Sequence, residues 1–225
     1  MSTEVYLIRH GETMFNNLNK VQGWCDSPLT VKGINDLKRT ARALAQIHFD
    51  NMYSSDLKRA IDTVHLMKDF NQVSEIGKIR KLPEFREVFF GSFEGDDIDK
   101  TWQQVAATAG LGLERNVSAI INQVGMTKFR QATKQADPRH LAENNQELNA
   151  RMVRAIAKLH DLTATEHRVL LVSHGDFIKT LGIKYWNQSD GVSDIPFPEN
   201  GSITRGILDN RGKFKIVEYN QMAFE

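Results

Sequence analysis

This 225-residue sequence predicts a three-layer α/β/α sandwich with a mainly parallel sheet and a helical insertion over the carboxyl edge of its strands. Short, uniformly apolar runs, Val5 to Ile8 and Val169 to Val172, have the length and texture of strands buried on both faces of a parallel sheet. Between them, apolar residues recur at helical spacing, so strands and helices alternate along the chain. Both runs lead into a histidine followed by glycine: Leu7-Ile8-Arg9-His10-Gly11-Glu12-Thr13 and Leu170-Leu171-Val172-Ser173-His174-Gly175. Ligands of open α/β sheets bind at the carboxyl ends of strands, and glycine there permits a tight turn that exposes backbone N–H groups. Two imidazoles are therefore expected to share one pocket.

The remaining elements follow in order. Pro28 and Thr30 open a helix over about Thr30 to Ile47, with Ile34, Leu37, Ala41 and Leu44 on one face. Phe49 to Tyr53 reads as a short strand. Ser54-Ser55-Asp56 offers N-caps for a helix carrying Leu57, Ala60, Ile61, Val64 and Met67, with Arg59 in its first turn. Lys78 to Leu82 is a further strand, its Lys78, Arg80 and Lys81 alternating with apolar residues as on a wet face near a sheet edge. Asp96, Asp97 and Asp99 cap and charge a helix N-terminus, since they do not continue as a calcium loop. From Trp102 to Arg139, Gly110, Gly112 and Gly125 interrupt helical patterns; the reading there is a helical insertion at about 100–140 within a single domain. Asn144 and Glu147 form a capping box opening a helix with Leu148, Met152, Ala155, Leu159 and Leu162 on one face. A strand over Arg168 to Ser173, a helix over about Asp176 to Trp186, and a loop with Gly191, Pro196 and Pro198 come next. Ile203 to Leu208 and Phe214 to Tyr219 close the chain as strands around Asp209-Asn210-Arg211-Gly212. Gly206 to Lys213 has the wrong spacing for a P-loop and Phe214 where Ser or Thr would hold magnesium, so it reads as a hairpin turn.

Composition narrows the function. Lys and Arg number 29 against 28 Asp and Glu, a formal charge of +1, which gives no global attraction to nucleic acid or to an anionic membrane; any anion site must be local. Cys25 is the single cysteine, so an intrachain disulfide and a cysteine metal cluster are both excluded. No apolar stretch is long enough to span a bilayer, and His10 lies too near the start for a cleavable signal to precede it. A cytoplasmic protein is the expectation. His48, His65, His140, His160 and His167 lack a compact set of partner ligands and are assigned structural or surface roles, with no metal expected.

The motifs themselves resemble the histidine phosphatase superfamily, the phosphoglycerate-mutase-like enzymes. The likeness is carried by residues 7–13, then Asn16, Gln22-Gly23, Asp26-Ser27-Pro28-Leu29-Thr30, Gly33 and Ser54-Ser55-Asp56-Leu57-Lys58-Arg59-Ala60 with Thr63. It continues through Glu87 with Phe90-Gly91 and Phe93-Glu94-Gly95, then Arg151 and Val172-Ser173-His174-Gly175. It departs at Phe15, where a tryptophan is common, and at Glu143-Asn144, where Gly-Glu-Ser is often found. The resemblance implies a metal-independent, cofactor-free phosphomonoesterase acting on a small phosphorylated metabolite and releasing inorganic phosphate.

Phosphoryl transfer needs an in-line nucleophile, neutralisation of the phosphoryl oxygens and a proton for the departing alkoxide. His10 fills the first role as neutral imidazole, forming a phosphohistidine as the matching histidine does in the family; Arg9 and Arg59 beside it oppose a further positive charge. The same two guanidinium forks clamp the phosphate, His174 donates a hydrogen bond to the transferring group, and Asn16 with backbone N–H groups near Gly11 and Gly175 completes the cradle. By resemblance, Glu87 protonates the leaving oxygen and afterwards activates water, a task suited to a carboxyl whose proton affinity a neighbouring phosphate dianion raises. Glu94 stays unassigned, with a surface carboxylate as its plain reading. Two alternatives remain open: a 2,3-bisphosphoglycerate-dependent phosphoglycerate mutase, and a non-catalytic phosphometabolite-binding protein. Between Trp102 and Arg139 the arginine pair and proline-rich stretch typical of such mutases are absent, although Arg115, Lys128, Arg130, Lys134 and Arg139 are present. Intact Arg9, His10, Arg59, Glu87 and His174 count against the binding protein, which needs no nucleophile. Oligomeric state is not indicated by the sequence.

Overall fold

A computed structural model describes residues 2–186 and 195–222; Gly191, in the loop expected before Pro196, lies outside the described residues. The chain divides into two compact units. One comprises Met1–Thr13, Pro28–Glu87 and Met152–Glu225, the other Met14–Ser27 and Val88–Arg151.

The first unit holds the sheet. Its strands are β1 (Thr3–Arg9), β2 (Asn51–Ser54), β3 (Arg80–Lys81), β4 (Arg168–Ser173), β5 (Ile203–Leu208) and β6 (Phe214–Gln221), in the order β3-β2-β4-β1-β5-β6. The pairings β3/β2, β2/β4 and β4/β1 are parallel, and β1/β5 and β5/β6 are antiparallel. Helices α2 (Val31–Ala43) and α3 (Lys58–Phe70) cover one face. Leu37 and Ala41 from the first, Leu44 just past its end, and Ala60, Val64 and Met67 from the second, pack on Tyr6, Ile8, Met52, Leu170 and Val172. The alternating residues Val5, Leu7, Val169 and Leu171 are equally inaccessible, and α7 (Gly175–Tyr185) runs against β1 and β6. Burial on both faces explains why the β1 and β4 runs are apolar without alternation. This is the predicted α/β class. The β5–β6 turn is the expected hairpin, with Gly212 at φ +77° and its N–H donating to Asp209 O at 3.0 Å.

The second unit is helical: α1 (Met14–Asn17), α4 (Ile98–Thr108), α5 (Val117–Ala136) and the first turns of α6 (Asn145–Leu162), whose remainder belongs to the first unit. Asp97 caps α4 by accepting the Lys100 N–H, and Asp99 lies in the first turn. The weak helical signal between Trp102 and Arg139 has a local cause. Gly110 and Gly112 take positive φ after α4, and Gly125 kinks α5 at φ +77°. The capping box of α6 is reciprocal: Asn144 Oδ1 accepts the Glu147 N–H at 3.0 Å, and Glu147 Oε2 accepts the Asn144 N–H at 2.9 Å. Beside it, Glu143 takes Arg151 in a two-point contact of 2.8 and 2.6 Å and accepts the Phe89 N–H at 3.0 Å. Glu94 is not a surface carboxylate. It accepts the N–H groups of Gly23, Trp24, Cys25 and Phe90, each at 2.9–3.0 Å, and so fixes the turn of Gln22-Gly23 within this unit.

Several boundaries differ from expectation: β3 spans only Arg80–Lys81 of the expected Lys78 to Leu82, β2 runs over Asn51–Ser54 instead of Phe49 to Tyr53, and α2 and α3 differ for identifiable reasons. Helix α2 starts as predicted, with Thr30 Oγ1 accepting the Gly33 N–H, but stops at Ala43 because Leu44 to Ile47 tighten into turns. Neither Ser54, Ser55 nor Asp56 caps α3; Leu57 occupies the N-cap with no side-chain bond. Ser55 Oγ instead lies against His174, and the Asp56 carboxylate is drawn into an ion pair with Arg86.

Candidate active site

Strand register builds the site. Arg9 stands opposite Ser173 across the parallel β1/β4 pair, and the His10 N–H donates to Ser173 O at 3.1 Å. The next residues, His10 and His174, therefore leave the same edge side by side, with ring centroids 5.1 Å apart and planes inclined by 57°. Both are buried, and the two imidazoles expected together at the strand ends do lie side by side. On the other side of β4, Ser54 pairs with Val172 and the Ser55 N–H donates to Val172 O. That register brings Ser55 Oγ to 2.6 Å from His174 Nε2. Arg59 enters from the first turn of α3, itself buried, and its Nε donates to His10 Nε2 at 3.1 Å.

The bonds of His10 fix its tautomer. Nδ1 lies 2.8 Å from Gly11 O, and a carbonyl only accepts, so Nδ1 carries the proton. Nε2 is left with the lone pair, which the Arg59 Nε–H meets. Burial first, then the charges of Arg59 and Arg9, hold the His10 imidazolium well below the ordinary histidine range, against the smaller opposing effect of the Gly11 bond. The imidazole is neutral, and its Nε2 faces the Arg59 guanidinium.

Arg9 is gripped from the segment before β5. Its Nη1 donates to Pro198 O at 2.5 Å and its Cζ lies 4.9 Å from the centre of the Phe197 ring, while Nε is buried without a hydrogen-bond partner among the described residues. Burial pushes its pKa down to about 10, with Glu87 and Glu199 opposing the fall and Arg59 adding to it. The Glu87 carboxylate sits at the N-terminus of α7, where Oε1 accepts the Phe177 N–H at 2.8 Å and Oε2 the Asp176 N–H at 3.0 Å. Its own carboxylate thus fills the anion-binding end of that helix.

Arg9, His10, Arg59, Glu87, His174 and Gly175 all lie in the first unit. Asn16 belongs to the second, exposed on α1. The glycines serve close packing, since neither takes positive φ. A Cβ on Gly11 would come within 2.5 Å of Leu37 Cδ1, and one on Gly175 within 2.4 Å of Phe197 Cε1. The Gly11 N–H, expected in the phosphate cradle, donates instead to Thr63 Oγ1 at 3.3 Å. Three contributors escaped the sequence reading: Ser55, Phe197 and Asn200, whose Nδ2 donates to His10 O at 3.0 Å. Ser55 sat inside a motif already singled out for Arg59; Phe197 and Asn200 carry no local signal and are recruited only by tertiary pairing with β1. Among the cations of the insertion, Arg130 donates to Asn145 Oδ1 and Lys134 pairs with Glu147 inside the second unit, while Arg115, Lys128 and Arg139 are exposed.

A family model of the histidine phosphatase superfamily (branch 1) matches residues 5–222, and the chain belongs to that superfamily. It is 27% identical over 237 residues to a 2,3-bisphosphoglycerate-dependent phosphoglycerate mutase of Methanococcus vannielii, covering 100% of this chain and 98% of that protein. Among solved structures it resembles a phosphoglycerate mutase from Bacillus anthracis, with TM-score 0.87, 30% identity and coverage of 99% and 94% of the two chains. It also resembles an α-ribazole phosphatase from Shigella flexneri, with TM-score 0.70, 25% identity and coverage of 99% and 98%.

Proposed function

We propose that the chain is a metal-independent phosphomonoesterase working through a phosphohistidine on His10. The observation that carries this reading is the Nδ1 bond to Gly11 O, which leaves Nε2 of a buried, neutral imidazole as the nucleophile. Arg59 must turn from Nε2 to a phosphoryl oxygen when the ester binds, and Arg9 offers its Nε beside it. The Nε2 lone pair then attacks phosphorus in line while the ester P–O bond breaks and Glu87 passes its proton to the departing alkoxide. In the second step the Glu87 carboxylate takes a proton from water, the water oxygen attacks phosphorus, and the P–N bond breaks with its electron pair returning to His10. Inorganic phosphate leaves. Arg9, Arg59 and His174 stabilise the equatorial charge in both steps, and Ser55 orients His174. The Gly175 N–H is assigned to the phosphate cradle by its motif. Because guanidinium and imidazole groups supply the positive charge, chelation is expected to leave turnover unchanged; a loss restored by added zinc, manganese or magnesium would overturn this part of the proposal.

A phosphoglycerate mutase is the second reading, favoured by the names of the Methanococcus vannielii and Bacillus anthracis relatives. Arg130 and Lys134, two cations that could hold a second acidic group, are engaged by Asn145 and Glu147, which favours the hydrolase. The deciding experiment measures phosphate release from a panel of monoesters, and interconversion of 3-phosphoglycerate and 2-phosphoglycerate with bisphosphate primer. Release of phosphate from several esters with little isomerisation is expected. Isomerisation exceeding hydrolysis by orders of magnitude would replace the phosphatase by the mutase.

A further inference from the structure

Phe197 is the one aromatic ring among the large apolar side chains described as exposed, at 47% accessibility. It does not stand alone. Its ring lies over the Arg9 guanidinium at 4.9 Å and so close to Gly175 that a Cβ there would come within 2.4 Å of it. The backbone around it is tied to the same dipeptide that begins the site: Pro198 O accepts Arg9 Nη1, Asn200 Nδ2 donates to His10 O, and the Gly201 N–H donates to Arg9 O at 3.0 Å. The Tyr219 hydroxyl pins the segment further by donating to Pro196 O at 2.8 Å. Phe197 is thus a held wall, its ring set against the Arg9 guanidinium and Gly175 with nearly half of its surface open.

From this placement we infer that Phe197 is a specificity-determining residue, selecting phosphate monoesters whose alcohol carries a flat or apolar group near the ester oxygen. The inference rests on the phosphate-site reading given above. His10, Arg59 and His174 are almost wholly inaccessible, so the phosphoryl group enters a closed floor and the alcohol must project outward past the clamp. Beside Arg9, the Phe197 ring supplies exposed aromatic surface. That surface rewards an apolar or planar substituent by burial and ring contact, and the ring offers no hydrogen-bond partner to a polyol. Stacking on Arg9 also holds the guanidinium in place, a contribution common to every ester.

Calorimetry with two phosphonates separates these contributions without requiring turnover, since a C–P bond is not cleaved by the proposed chemistry. The probes are 2-phenylethylphosphonate and 2-hydroxyethylphosphonate, with inorganic phosphate as the measure of the clamp alone. The protein should bind the phenylethyl compound about tenfold more tightly than the hydroxyethyl compound. Phe197→Ala should abolish most of that preference, Phe197→Trp should retain it, and any loss of phosphate affinity in Phe197→Ala should be shared equally by both phosphonates. An unchanged preference in Phe197→Ala, or no preference in the parent protein, overturns the assignment. The catalytic reading fails differently: the phosphonate preference would stand while no ester is turned over and no phosphohistidine forms.

Discussion

At the end of β1 the His10 imidazole is anchored through Nδ1 to its neighbour's carbonyl, whereas at the end of β4 His174 is engaged through Nε2 with the Ser55 hydroxyl. Both turns have the same order in sequence, apolar strand, histidine, glycine, and both bury their imidazoles at one sheet edge. What differs is the partner that each neighbouring strand or loop delivers. The β1 turn leaves the Nε2 lone pair accepting from Arg59, the nitrogen that the proposed chemistry uses as nucleophile once Arg59 turns to a phosphoryl oxygen. The β4 turn runs straight into α7, whose first N–H groups hold Glu87, and presents His174 as a hydrogen-bonding group instead. Two copies of one motif therefore acquire different hydrogen-bond partners from tertiary context, and the separate roles proposed for them can each be attacked on their own.

The largest separation is expected from His10→Ala, which removes the nucleophile and should reduce ester turnover to that of buffer. Glu87→Gln comes next: general-acid help is typically worth about 10²- to 10⁴-fold, so alkyl phosphates should lose that much while an aryl phosphate is comparatively spared in its phosphorylation step. Equal single-turnover losses for the two leaving groups would remove Glu87 from the acid role. His174→Ala deletes one charge-stabilising donor and should cost about 10²- to 10³-fold in kcat for both ester types alike. Losses that equal those of His10→Ala would erase the distinction between the turns. Ser55→Ala removes the contact with His174 and the bond from the Leu57 N–H; a drop of about tenfold or less in kcat with little change in KM is expected, restored in part by Ser55→Thr. A change confined to thermal stability would make Ser55 structural.

The smallest effect is in pH dependence. The native His10 pKa is depressed, so from its unfolded value near 6.5 downward the unfolded chain binds a proton that the native protein refuses. Stability from this group is complete above about pH 6.5 and is lost as pH falls towards the native pKa. His10→Gln should flatten that slope in denaturant titrations. The acid limb of kcat/KM for the parent protein should likewise fall well below pH 6.5.

Much of this arrangement was legible in the sequence where a signal is local. The apolar runs of β1 and β4, the Thr30 cap and the Asn144/Glu147 box needed only neighbouring residues, and each formed where expected. The failures share a different cause. Ser55 and Asp56 have the chemistry of helix caps but are taken by His174 and Arg86, groups 119 and 30 residues away in the chain. Gly11 and Gly175 were read as turn formers, yet they are small because Leu37 and Phe197 pack where a side chain would be. Glu94 looked like a surface charge until four backbone N–H groups converged on it. The residue types of the site were written locally, but the partners that divide its labour came from sheet register and loop closure.

The most direct test of that division is a rapid-quench reaction with a radiolabelled phosphate ester, followed by peptide mapping at alkaline pH. The account predicts acid-labile, base-stable label on the peptide containing His10 alone, forming before phosphate is released, persisting longer in Glu87→Gln, and absent in His10→Ala. Label on the His174 peptide, or full turnover with no labelled histidine, would contradict it.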